Sequence, residues 1–156
     1  MAAWVDSSVL IALQKAGDLD FLRRYLRRVH VTAAVRDEVL TGKETAELRA
    51  AFDSWIAVEA VSGDPRRYRA LGLSAGEASL LLTPAEDILV IDELTGREVA
   101  RSEGRRVTGL LGLLVAAKRD RVLSQEEAAA LLGRLRDTGF HIATDLYEAV
   151  QAELRG

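Results

Sequence analysis

The chain opens on an apolar run, Ala2 to Val5, broken by Asp6, Ser7 and Ser8 and resumed by Val9, Leu10 and Ile11. The first piece reads as a short strand, the second as a helix with a serine N-cap and Gly17 just past its end. Leu19, Leu22 and Leu26 follow at helical spacing, "VHV" makes a brief strand, and Thr32 is placed to cap a helix over "AAVRDEVL". A further helix runs through Leu48 to Phe52, and "WIAVEAV" looks extended. "SGDPRRYRALGL" has turn chemistry and basic residues and reads as a mobile loop.

In the second half, "SAGEASLLL" begins with a capping-box pattern, Ser74 to Glu77, and Pro84 marks the end of that helix. The fully apolar run Ile88 to Ile91 suits the middle of a parallel sheet, and it ends in Asp92. "LTGREVARSEG" reads as a helix, "RRVTG" as a short strand and "LLGLLVAAKRD" as a buried helix. Two amphipathic helices, about 124–136 and 144–154, close the chain. Strands alternating with helices imply right-handed crossovers and a parallel sheet covered on both faces, within one α/β domain over 1–156. In such sheets ligands bind at the carboxyl ends of the strands, where the chain order reverses. Asp6 and Asp92 each follow a strand directly, so two distant carboxylates are expected to converge on one crevice.

An ionised carboxylate in apolar surroundings is costly unless bonded, paired or metal-bound. Two more acids join the pair. Glu38 flanks the buried stripe of Val35 and Val39 at the core boundary, whereas Asp37 points to solvent; Glu77 stands in the first turn of its helix, one place after Gly76, whose missing side chain permits close approach. A cluster of carboxylates repels itself, and Mg²⁺ or Mn²⁺ is the usual remedy because both favour oxygen ligands. Each acid also has an ordinary structural reading. Asp6 and Asp92 would cap their helices, Glu38 would belong to a solvated "RDE" run, and Glu77 would complete the capping box.

Composition narrows the chemistry. No cysteine occurs among the 156 residues, which excludes disulfides, thiolate metal sites and a cysteine nucleophile. The longest strongly apolar stretch, "GLLGLLVAA", is far too short to span a bilayer, and a soluble cytoplasmic protein is expected. A net charge of −3 argues against coating nucleic acid by overall positive potential. Arginine nonetheless outnumbers lysine 18 to 3, and guanidinium is the better fork for phosphate oxygens. His30 and His141 lack partners at ligand spacing and are read as structural.

"VDSSVLIAL", "LSAGEASLLL", "ILVIDELTGREVA" and "VTGLLGLLVAAKRDRV" together resemble the PIN-domain family, in its branch related to VapC toxins. The resemblance covers nearly the whole chain, and its most specific parts are the GEA stretch, the IDE-x-x-G-R-x-x-A stretch and "GLLGLL". It implies a Rossmann-like three-layer α/β/α fold with a short parallel sheet, and an Mg²⁺- or Mn²⁺-binding pocket that hydrolyses RNA. Carried over, Asp6, Glu38, Glu77 and Asp92 form the acidic, metal-binding set. Ser8 matches the family's hydroxyl near the first aspartate, in competition with an N-cap role. Glu93 and Arg97, one helical turn apart, suit an ion pair, and Arg97 is also a candidate for a phosphate contact, as are Arg101 and the arginines of 66–69. Tyr68 is a candidate for base stacking. Many such toxins draw on an acid in a further loop, whereas here the later acids are the GEA glutamate and the strand-end Asp92. The resemblance also implies a small antitoxin partner and a homodimer.

Three rivals remain at this point: a PIN-fold module that binds nucleic acid or protein without turnover, a dinucleotide-dependent oxidoreductase, and a phosphoacceptor receiver domain. The second lacks a G-x-G-x-x-G turn, and "GLLG" reads better as close helix packing.

Overall fold

The computed structural model describes residues 2–156. Five short strands, β1 (Ala3–Val5), β2 (Val29–Thr32), β3 (Ile56–Glu59), β4 (Ile88–Val90) and β5 (Val107–Thr108), form one sheet in the order β3-β2-β1-β4-β5. Every pairing is parallel. Between them run α1 (Ser7–Ala16), α2 (Asp20–Leu26), α3 (Ala33–Val39), α4 (Ala46–Ser54), α5 (Arg66–Arg69), α6 (Ala75–Leu80) and α7 (Leu94–Ser102). After β5 come α8 (Leu110–Arg119), α9 (Gln125–Asp137) and α10 (Thr144–Arg155). With helices flanking the sheet, the architecture is the expected α/β/α sandwich.

Parallel strands buried on both faces need continuous apolar runs. Val5, Val31, Leu89 and Val90 supply them and lie entirely out of solvent. The chain leaves β1 toward β2 on one side and reaches β4 on the other, so the order reverses between β1 and β4. The register pairs Val5 with Val90, which puts Asp6 opposite Ile91 and Asp92 one residue beyond that rung. Both aspartates therefore stand at the switch point, as the pattern of the sequence predicts.

The opposite ends of the strands are tied by bonded charges. Asp87 accepts from the Ala2 amide at 3.0 Å and from Trp4 Nε1–H at 2.9 Å. Buried Arg105 donates to Thr83 Oγ1, to the carbonyls of Thr83 and Pro84 at 3.3 and 2.9 Å, and more weakly to those of Leu80 and Asp87. The closing helices bury Leu131, Leu132, Leu135, Val150 and Leu154 in the core. Close packing at "GLLG" also holds, because a Cβ on Gly112 would meet Thr108 Oγ1 at 2.5 Å.

Two expectations change. The stretch read as a mobile loop contains the single turn α5, and Tyr68 on it is only 6 % exposed, packed in the core with the Arg67 guanidinium over its ring. That burial removes Tyr68 as a base-stacking platform. The first helix has Asp6, not a serine, at its N-cap position, and Ser8 lies inside the first turn. Among the described residues no helix is long and apolar enough to cross a membrane.

Candidate functional site

Asp6 is 2 % exposed, at the junction of β1 and α1. Although it occupies the N-cap position, its side chain makes no capping bond. One oxygen, Oδ2, accepts from Ser8 Oγ at 3.2 Å, and Oδ1 is buried without a hydrogen-bond partner among the described residues. Burial pushes the Asp6 pKa up to about 7, and the charges of Glu77 and Glu38 push the same way. The capping explanation for this aspartate therefore fails on its own geometry.

Glu38 reaches the site from α3. Thr32 caps that helix by accepting from the Val35 amide at 3.1 Å, and its Oγ1 also lies 2.7 Å from Ser79 Oγ on α6. Ser79 in turn donates to the Gly76 carbonyl at 2.6 Å. This hydroxyl chain locks α3 against α6, and Glu38 fills the space that a side chain on residue 76 would take. A Cβ there would lie 1.9 Å from Glu38 Oε1. Glu38 accepts from Ser7 Oγ at 3.2 Å and from the Gly76 amide at 3.3 Å, so both its oxygens are held.

Glu77 does complete the capping box. Its Oε1 accepts from the Ser74 amide at 3.0 Å, and its own amide donates to Ser74 Oγ at 3.1 Å. Oε2 is left buried and unpartnered among the described residues. That oxygen points over Gly96 of α7, where a Cβ would stand 3.0 Å away, and Glu93 Oε2 lies 3.6 Å from the same point. The residue that caps α7 is Glu93, accepting from the Gly96 amide at 2.7 Å. Burial opposes its ionisation, but the Gly96 and Thr95 amides, together with the side chains of Glu77 and Thr95, outweigh burial and hold its pKa below the ordinary value.

Asp92 is thereby free of its own helix. Its Oδ1 accepts from the Leu110 amide at 2.8 Å, at the start of α8, and its Oδ2 has no partner among the described residues. Burial raises its pKa, against the Leu110 amide and the nearby Arg97 charge. Arg97 does not pair with Glu93; it donates to the carbonyls of Asp92 and, at 3.2 Å, Ile91. Arg97 and Arg101 line a crevice with Asp92, whereas Arg66 is paired with Asp64 and Arg67 with Glu103, away from it.

His30 behaves as expected, with its ring 5.2 Å from that of Trp4 and Nδ1 3.4 Å from Glu59. His141 does not. It is exposed and lines two crevices, one with Ser8 and one with Asp92. Its other crevice neighbours include residues of α1, α7 and α8, which lie far from it in the sequence.

Asp6, Glu38 and Glu77 form one electrostatic group, and Glu93 joins Glu77 over Gly96; Asp92 follows the strand that pairs with the one ending at Asp6. Three buried carboxylate oxygens, on Asp6, Glu77 and Asp92, lack partners, which suits a hard divalent cation in donor type. Among the described residues, no group of three or more Asp, Glu or His side chains is arranged to hold a metal ion. The fit rests on the orphaned oxygens, not on a preassembled cage.

No curated protein and no solved structure matches the chain significantly. A family model described as a PIN domain matches residues 3–155. With that match over nearly its whole length, the chain belongs to the PIN-domain family, whose fold is nuclease-like.

Proposed function

We propose that the protein is an Mg²⁺- or Mn²⁺-dependent endoribonuclease, hydrolysing RNA phosphodiester bonds at the acidic residues by the carboxyl ends of β1 and β4. The observation that carries this reading is the trio of buried, unpartnered carboxylate oxygens at the switch point of a PIN-domain sheet. Buried polar atoms in folded proteins are nearly always bonded, and a concentration of exceptions marks a place built for a ligand. Asp6, Glu77 and Asp92, with Glu38 beside them, would hold the cation. When bound, it supplies charge neutralisation at the phosphate and a water that ionises near neutral pH.

The chain's own groups do the rest. Ser8 fixes the Asp6 carboxylate through Oδ2 and leaves Oδ1 facing the ligand. The Leu110 amide does the same for Asp92 through Oδ1. Glu38, tethered by Ser7 and Gly76, is the carboxylate we assign to accepting a proton from the attacking water. Arg97 and Arg101 position the backbone phosphates without reading sequence.

The test is cleavage of end-labelled single-stranded RNA in Mn²⁺, Mg²⁺ or EDTA, with Asp6→Asn in parallel. Metal-dependent cleavage that disappears in the variant supports the nuclease. A PIN-fold binding module without turnover is the second reading, favoured by the lack, among the described residues, of a three-carboxylate group arranged for a metal. Absence of cleavage across several RNAs, together with absence of metal binding, decides for it.

The same proposal extends to partners. As a toxin, the protein would be restrained by a small antitoxin whose arginine or lysine enters the acidic crevice, and it would form a homodimer. Purification from the native host without a small basic partner would remove the first part, and a monomeric mass in solution the second.

A further inference from the structure

The turn after α9 is built to hold its side chains still. Thr138 closes the helix, Gly139 adopts φ +99°, its amide donates to the Arg136 carbonyl at 3.3 Å, and the Phe140 amide donates to the Leu135 carbonyl at 3.0 Å. These are the paired bonds of a Schellman closure, with the glycine at the left-handed position. Half-buried Phe140 packs against the core, and His141 follows it into solvent. The ring of His141 is thus carried by a fixed turn.

That turn separates two crevices. One, of about 290 Å³, is walled by Ser8, Ile11, Ala12 and Lys15 of α1; the other, of about 350 Å³, by Asp92, Arg97 and Arg101 among others. Phe140 and His141 line both. The first crevice reaches the acidic site through Ser8, which is bonded to Asp6, and the second through Asp92 itself. Lys15 and Arg101 are exposed, and neither makes a side-chain hydrogen bond or ion pair among the described residues. An unpaired cation therefore lines each crevice, Lys15 in the one that Ser8 lines and Arg101 in the one that Asp92 lines.

We infer that the Phe140–His141 turn is the saddle on which a single RNA strand crosses the acidic site, one nucleotide in each crevice, a base against the His141 ring, and flanking phosphates on Lys15 and Arg101. Two crevices at the small end of ligand-sized clefts receive splayed nucleotides one at a time, which suits single strands better than a rigid duplex. Stacking on an aromatic ring is tolerant of base identity, and cations on both sides offset the repulsion from the acids. The assignment rests on the nuclease reading for the position of the scissile bond, but binding can be measured without cleavage.

The experiment is fluorescence anisotropy of a labelled single-stranded RNA oligonucleotide in EDTA, with wild type, His141→Ala, His141→Phe, Lys15→Ala and Arg101→Ala. His141→Ala is expected to weaken binding about 5- to 150-fold, the range one base–aromatic stack represents, while His141→Phe restores it. Lys15→Ala and Arg101→Ala should each reduce the slope of log K against log salt by about 0.7, which His141→Ala leaves unchanged. An unaltered thermal midpoint shows that the exposed histidine's replacement has not unfolded the chain. Wild-type affinity in His141→Ala, or no RNA binding by the wild type, overturns the inference. Weakened binding in His141→Ala without cleavage by the wild type upholds it and overturns the nuclease reading alone.

Discussion

At the scale of single residues, Asp6 is a carboxylate placed where the fold does not need one. Asparagine is nearly isosteric, and no capping bond is lost by the change, so Asp6→Asn should abolish cleavage while keeping the fold. Its stability should rise. Burial pushes the folded-state pKa up to about 7, against 3.8 for a solvated aspartate, so the folded protein resists ionisation that the unfolded chain accepts. Below pH 4 this penalty is absent; it grows as pH rises from 4 to 7 and is full above 7, reaching on the order of 4 kcal/mol at most. Urea unfolding of both proteins at pH 4 and pH 8 should show curves that nearly coincide at acid pH, with the variant more stable at alkaline pH. Equal stability at both values would mean that Asp6 is not strained by burial. Saturating Mn²⁺ should raise the thermal midpoint of the wild type at pH 8 and leave that of Asp6→Asn nearly unmoved. The identity of Asp6 was legible as an interruption in an apolar run, but its missing cap was not, because Asp6 and an ordinary N-cap share the same sequence signature.

Among elements, the seam between α3 and α6 sets the acidic geometry. Glu77 stands in the first turn of α6 and Glu38 at the far end of α3, and the Ser74–Glu77 box is readable because its partners lie within one turn. Its tertiary half is not readable: the group that occupies the space above Gly76 is Glu38, 38 positions away, and no local pattern encodes that contact. The cap of α7 shows the same limit, with Glu93 taking the local role and releasing Asp92 to the start of α8. Single-turn α5 escaped because four residues are too few to establish a period, and turn chemistry dominates around Pro65. Gly76→Ala should cost about 1–3 kcal/mol, the usual range for forcing extra atoms into a packed site, and should impair cleavage by displacing Glu38. In a Glu38→Ala background most of that stability cost should vanish, giving a coupling measurable by urea unfolding of the four proteins. An undiminished cost in the double variant would mean that the methyl group clashes with something other than Glu38.

Across the whole molecule, the two ends of the sheet treat buried charge in opposite ways. Alternating strands and helices foretell a parallel sheet with its ligand end at the strand termini, though not the order of the strands, which depends on crossovers that the pattern leaves open. At the carboxyl ends, Asp6, Glu77 and Asp92 keep unpartnered oxygens; at the amino ends, both carboxylate oxygens of Asp87 are bonded and Arg105 gathers the carbonyls of the 80–87 turn through its terminal nitrogens, its Nε alone lacking a partner among the described residues. Bonding of that density stabilises, whereas orphaned oxygens store binding capacity at the expense of stability. Arg105→Met keeps much of the side chain's length but strips donors from Thr83 and Pro84, and removing one side of a buried charged network costs about 3 kcal/mol. Its urea midpoint should therefore fall well below that of the wild type. Initial cleavage rates per folded molecule, taken well below the thermal midpoint, should stay the same, because the bonds lost lie at the far end of the strands. A fall in that rate, with the protein still folded, would show that the amino-end clamp also sets the spacing of the acids and that the two ends do not work independently.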